Sequence, residues 1–80
     1  MRNLEERLKY AKVILHELSR EPLSRTLLNK RFIQQSGTSA TFEGIFKFLI
    51  QSGYVEKSGS AHRASYCITE KGKKFLGGLS

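Results

Sequence analysis

Residues 36–57 read SGTSATFEGIFKFLIQSGYVEK, and they decide the fold. Phe42, Ile45, Phe46 and Leu49 recur at three- and four-residue spacings, which places them on one face of a helix. The opposite face carries Ala40, Gly44, Lys47 and Gln51, all small or polar, and such a face can lie close against a large partner. Gly37 is the natural residue for a left-handed turn after the helix that precedes this one, and Thr38 or Ser39 supplies the N-cap. Gly53 ends the helix, and Tyr54–Lys57 then has the composition of a strand.

Working toward the N-terminus, Asn3 and Glu6 form a capping pair for a first helix. Leu4, Leu8, Ala11, Leu15 and Leu18 mark its core face, with Ile14 alongside. Pro22 lacks an N–H and disfavours helical geometry at Glu21, so the helix ends near 19–21. Ser24 caps a second, shorter helix whose buried residues are Leu27, Leu28 and Phe32. Toward the C-terminus the period changes. Tyr54–Lys57 and Ser65–Thr69 are short, partly β-branched and aromatic runs joined by SGSAHRA, which predicts a hairpin with a long loop. Thr69 caps a last helix through EKGKKFL, and Gly77-Gly78 end it. The order is helix, helix, helix, hairpin, helix, so the expected class is α+β, mostly α, in one domain over residues 1–80. Leu15, Leu28, Phe32, Phe42, Ile45, Phe46, Leu49, Val55 and Ile68 form the expected core.

Eighty residues suffice for one small core. The formal net charge is +7 and the pI about 9.9, and the excess is uneven. Residues 1–21 hold five Lys/Arg and four Glu, a balance of +1, whereas residues 22–80 hold nine cations and three Glu, a balance of +6. A basic segment of this kind favours an anionic partner, or serves only solubility. Cys67 is the only cysteine, which excludes an intrachain disulfide and suits a cytoplasmic setting. No apolar run approaches the roughly 18 residues of a membrane span, and MRNLEERLKY lacks the apolar core of a signal peptide.

Two segments carry a resemblance. GTSATFEGIFKFLIQSGYVEK resembles the recognition helix and first wing strand of archaeal winged-helix transcriptional regulators. SYCITEKGKKFL is similar to their second wing strand and the Y-x-L-T-x-K-G-x-x-F-L element that follows. Together the resemblance spans about Pro22 to Leu76. It implies a winged helix-turn-helix: a three-helix core, a β-hairpin wing and a short C-terminal helix, bound to double-stranded DNA near the nucleoid. The third helix would enter the major groove through Ser39, Ala40, Thr41, Gly44, Lys47 and Gln51. Arg25, Lys30 and Arg31 would meet phosphates from the second helix, and Lys57, His62 and Arg63 would touch backbone or minor groove from the wing.

Each of these residues also has a plainer reading. Gly44 costs about 1 kcal/mol against Ala in a helix interior, so it marks close approach either to DNA or to another helix. Phe48 sits on the flank of the apolar stripe, partly buried against the first helix or the wing. Lys47, Gln51 and the loop cations are equally a solvated surface.

Catalytic readings are poorly supported. HELSR begins like the zinc-binding H-E-x-x-H, but Arg20 replaces the second histidine. Cys67 has no histidine or C-x-x-C partner beside it, and the chain has no Asp and no Gly-rich phosphate loop. No cofactor, metal or small-molecule effector is implied. A homodimer is expected through Tyr10 and Val13 on the outer side of the first helix, with Glu6 and Glu17 around them, and through Leu76 and Leu79. The competing function is a winged-helix protein-interaction module in a larger assembly.

Overall fold

The computed structural model describes residues 4–35, 37–59 and 64–79. Its elements are α1 (Leu4–Arg20), α2 (Arg25–Gln35), α3 (Ser39–Gln51), β1 (Val55–Lys57), β2 (Tyr66–Ile68) and α4 (Glu70–Leu79). This is a mostly helical winged-helix architecture, as the element order predicts. The expected cap at Asn3 lies outside the described residues, as does the side chain of Leu4.

Helix α1 buries Ala11, Ile14, Leu15 and Leu18 and stops at Arg20, two residues before Pro22. Leu8 is only half-buried. Ser24 caps α2: its Oγ accepts the Leu27 N–H at 3.2 Å, and its carbonyl accepts the Leu28 N–H at 2.9 Å. Of the expected α2 core, Leu28 and Phe32 are buried, but Leu27 is 39% exposed. The reason is geometric: Leu28 and Phe32, four apart, form the stripe facing α1 and α3, and Leu27 is rotated about 100° away from it.

Thr38 is the N-cap of α3, its Oγ1 accepting the Thr41 N–H at 3.2 Å. At the other end Gly53 adopts φ 81°, the Gly53 N–H bonds the Ile50 carbonyl at 3.1 Å, and the Tyr54 N–H bonds the Leu49 carbonyl at 3.0 Å. This is a Schellman closure. Gly37, expected to be the left-handed residue before α3, does not have a positive φ. A Cβ there would come within 3.3 Å of the Phe32 ring, so the glycine serves close packing.

Strands β1 and β2 pair antiparallel, Val55 with Ile68, Glu56 with Cys67 and Lys57 with Tyr66. Both strands are shorter than predicted, although backbone hydrogen bonds from the Thr69 N–H to the Tyr54 carbonyl at 3.0 Å and from the Ser58 N–H to the Ser65 carbonyl at 2.8 Å continue the hairpin beyond them. Leu23 adds an unforeseen bridge, donating to the Tyr66 carbonyl at 3.1 Å and accepting from the Tyr66 N–H at 2.8 Å. The wing is thereby tied to the α1–α2 connection. Of the nine residues expected to be buried together, all but Ile68 are enclosed, and Ile68 packs half-buried against the cluster because the hairpin covers only one edge of it.

Thr69 caps α4, its Oγ1 accepting the Gly72 N–H at 3.0 Å and donating to the Gly53 carbonyl at 2.7 Å. Contrary to expectation, α4 continues through Gly77 and Gly78 to Leu79. Neither glycine has a positive φ, so neither makes the turn that would end a helix. Gly72 has the stricter role. A Cβ there would run into the Tyr54 carbonyl oxygen and come within 2.8 Å of Ile68 Cγ1. Replacing Gly72 by Ala should therefore cost about 1–3 kcal/mol through forced displacement of the wing root. Urea unfolding would show this as a lowered midpoint with an unchanged m-value.

Candidate nucleic-acid interface

Burial of Phe42, Ile45, Phe46 and Leu49 turns the other side of α3 outward, where Ala40, Glu43, Gly44, Lys47 and Gln51 are exposed. Between this face, the start of α2 and strand β2 lies an open hollow of about 600 Å³. Phe46 and Tyr66 line it, their rings in edge contact at 4.9 Å between centroids. Arg25 and Lys47 supply cations, Gln51 and Ile50 lie along α3, and Glu43 forms an ion pair with Arg25. A Cβ at Gly44 would meet nothing within 4 Å. No helix of this chain approaches it among the described residues, which removes the intrachain packing explanation.

The structure gathers Ala40, Gly44, Lys47 and Gln51 on one face with Arg25 beside them. Ser39 is exposed at the start of α3, its Oγ 3.5 Å from Asn29 Nδ2. Lys30 and Lys57 are exposed on α2 and β1. His62 and Arg63 lie outside the described residues. Thr41 does not join the face: it is buried under the N-cap, its Oγ1 3.2 Å from that of Thr38.

Arg31 is also drawn elsewhere. Its Nη1 lies 3.1 Å from Glu17 Oε1 and 4.0 Å from Glu21 Oε2, while Gln35 Nε2 donates to Glu17 Oε2 at 3.0 Å. Glu17, expected on the outer side of α1, is buried at the α1–α2 seam. A buried carboxylate requires a charged or hydrogen-bonding partner, and Arg31 with Gln35 fills that need. Burial pushes the Glu17 pKa up, but the hydrogen bonds from Arg31 and Gln35, with the charges of Arg31 and Arg20, outweigh it and hold the carboxyl below its ordinary value.

The expected dimer residues are likewise less available. Tyr10 is half-buried with its ring 5.6 Å from that of Phe32, and Val13 and Leu76 pack against the core. The side chain of Leu79 lies outside the described residues. Phe48 is 37% exposed, with the Arg7 guanidinium 5.4 Å from its ring centroid and Tyr54 against its edge.

Glu43, Phe46, Ile50 and Tyr66 line the hollow without having been singled out. Helical periodicity alone places Glu43 beside Ala40, Gly44 and Lys47. Tyr66 carries no local signal, because the strand register and the Leu23 bridge bring it there. Among the described residues no group of three His, Cys, Asp or Glu side chains could hold a metal ion, and no helix is long and apolar enough to cross a membrane.

No family model matches the chain, and no curated protein matches it. Among solved structures it is similar to the crystal structure of SSV1 F-93, with a TM-score of 0.69 and 31% sequence identity. The match covers 88% of this chain and 79% of that one.

Because the Glu17 carboxyl is lowered on folding, its contribution to stability is complete above the ordinary carboxylate pKa. It is lost as pH falls through the lowered value. The thermal midpoint should drop below about pH 5, and Glu17→Gln should flatten that dependence while reducing stability at neutral pH. Arg31→Ala should cost about 1–3 kcal/mol by leaving the carboxylate without its main partner. A variant as stable as the parent would contradict this assignment.

Proposed function

The chain belongs to the winged-helix family of SSV1 F-93, and from that premise we propose that it is a sequence-specific double-stranded DNA-binding protein that regulates transcription, of the archaeal winged-helix type. Residues 1–80 act as one DNA-binding domain, by equilibrium occupation of duplex near the nucleoid. The observation that carries the reading is the open, cation-bearing face of α3 with Gly44 at its centre. There the helix backbone can approach a groove floor without obstruction.

In this reading Ser39, Ala40, Gly44, Lys47 and Gln51 face the major groove, where Gln pairs with adenine and Lys with guanine edges. Arg25 and Lys30 at the second helix, with Lys57, His62 and Arg63 at the wing, hold phosphates and fix the register. Thr41 and Arg31 act indirectly, one by bonding the Thr38 cap of α3 and the other by joining α2 to α1. The protein-interaction reading rests on Phe48, which is partly exposed, with the Arg7 guanidinium 5.4 Å from its ring centroid and Tyr54 at its edge.

Fluorescence anisotropy with a labelled duplex tests the proposal. With about four to six phosphate contacts, log K should fall against log salt with a slope of roughly −4 to −5. Gly44→Ala should stabilise the fold by up to about 1 kcal/mol, because helix propensity improves and nothing obstructs the methyl. The same variant should bind duplex more weakly. Failure of the parent chain to bind any duplex at low salt would overturn the reading.

The proposal extends to a homodimer on a two-fold site, with recognition helices about 34 Å apart. Its contacts would be those read from the sequence, Tyr10 and Val13 of α1 and the Leu76 and Leu79 end of the chain. Sedimentation at micromolar concentration should show the dimer, free or on DNA. A monomer in both states excludes it.

A further inference from the structure

Glu43 is an anomaly on this face. Residues 22–80 contain only three carboxylates against nine cations, yet one of them lines the hollow at the middle of the exposed side of α3. A carboxylate there is repelled by every phosphate that approaches, whatever the base sequence. Local structure does not account for it. The N-cap is Thr38, so Glu43 lies beyond the first turn, where it neither completes a capping box nor gains from the helix dipole. Its ion pair with Arg25 joins side chains that are 49% and 51% exposed, and pairs so exposed contribute little to stability.

The pair does, however, have a geometry suited to reading. Arg25 engages Oε2 of Glu43, which leaves the acceptor capacity of Oε1 unused among the described residues. Arg25 retains further guanidinium donors after making that bond, and it stands at the first residue of α2, where a helix-turn-helix meets the DNA backbone. Gly44, the next residue, lets the helix approach closely enough for a side chain as short as Glu to reach a base edge. On a major-groove edge, the amino donor that a carboxylate typically accepts from is cytosine N4.

We propose that the Arg25–Glu43 pair is a specificity-determining unit, in which Glu43 accepts a hydrogen bond from cytosine N4 while Arg25 bridges Glu43 to a neighbouring phosphate. The inference rests on the DNA-binding reading above and deepens it, since it names one base pair of the target as C·G. Arg25 already pairs with Glu43 in the free protein, so at any duplex the carboxylate draws cationic charge away from the phosphates, and only a base-edge hydrogen bond offsets that loss. Away from the correct site Glu43 remains a net repulsion, so one residue both selects the cognate pair and weakens binding elsewhere.

The experiment is site selection from a randomised duplex pool with the parent chain and with Glu43→Gln, followed by anisotropy titrations on the selected and on random duplex. Thermal melts of both proteins confirm equal folding. The parent should select a site containing an invariant cytosine. Glu43→Gln should lose roughly 10-fold of its preference at that one position, within the range of a single base-edge contact. It should also bind random duplex about threefold more tightly, as expected for removing one unit charge roughly 6–7 Å from a phosphate in a water-like dielectric. Arg25→Ala should weaken binding to both duplexes and lower the salt slope by about one contact. If Glu43→Gln selects the same bases with the same ratios, the pair is a surface ion pair and the inference fails while DNA binding stands. If the parent binds no duplex at all, the underlying reading fails and takes this inference with it.

Discussion

A run of aromatic contacts holds this small fold together. Tyr10 of α1 meets Phe32 of α2 at 5.6 Å, Phe32 meets Phe42 of α3 at 5.6 Å, Phe42 stacks on Phe46 at 5.0 Å, and Phe46 meets Tyr66 of β2 at 4.9 Å. Five rings thus connect three helices and the wing through one continuous path. With 80 residues there is little other apolar area to spend on orientation, and large rings bury more area per side chain than aliphatic residues do. The outward presentation of α3 follows from this. Phe42 and Phe46 are clasped from one side by Phe32 and from the other by Tyr66, so the Ala40–Gln51 face has only one direction left to point.

Tyr66 is the point where this aromatic path meets the backbone. A two-stranded hairpin is marginally stable alone, and here β1 and β2 share only three residue pairs. The Leu23 bridge adds two backbone hydrogen bonds at Tyr66, and its side chain closes the aromatic path beneath. The other end of the wing is secured at Thr69, whose backbone N–H donates to the Tyr54 carbonyl at 3.0 Å and whose hydroxyl donates to the Gly53 carbonyl. Gly72 permits that approach by omitting a side chain where α4 passes over Tyr54. The wing root and the end of α3 are therefore one structural joint, and any shift of the wing is transmitted to the C-terminal turn of α3.

Legibility in the sequence follows the range of the interaction. The faces of α1 and α3, the caps at Ser24, Thr38 and Thr69, and the closure at Gly53 are set within a few residues, and each was readable. Gly37 and Gly53 look alike in sequence, but only one turns left-handed, because the other is fixed by the Phe32 ring packed over it. Leu27 and Leu28 are likewise indistinguishable until the positions of α1 and α3 choose between them. At the candidate site, helical period exposes Gly44, Lys47 and Gln51, whereas the engagement of Arg31 by Glu17 spans 14 residues and is encoded by no local pattern. Thr41 follows the face by its number but sinks beneath the cap by its position in the first turn.

The internal use of Arg31 changes what the net charge of +7 means. Among the nine cations of residues 22–80, Arg31 neutralises Glu17, Lys73 pairs with Glu70 at 3.6 Å, Lys71 lies over the Tyr54 ring at 5.3 Å, and Arg25 is shared with Glu43. Lys30, Lys47 and Lys57 are exposed and make no ion pair among the described residues. The footprint offered to an anionic partner is accordingly smaller than the composition implies, and long side chains on α3 are few. A face built this way gains contact by closeness of backbone rather than by reach of side chain, which is what Ala40 and Gly44 allow. Close seating also makes each remaining polar group decisive, since at short range a misplaced carboxylate or amide is desolvated without a partner. Modest charge and small residues therefore point the same way: on the proposed DNA-binding reading, affinity on this surface would depend on fit, and fit on the rings that hold α3 in place.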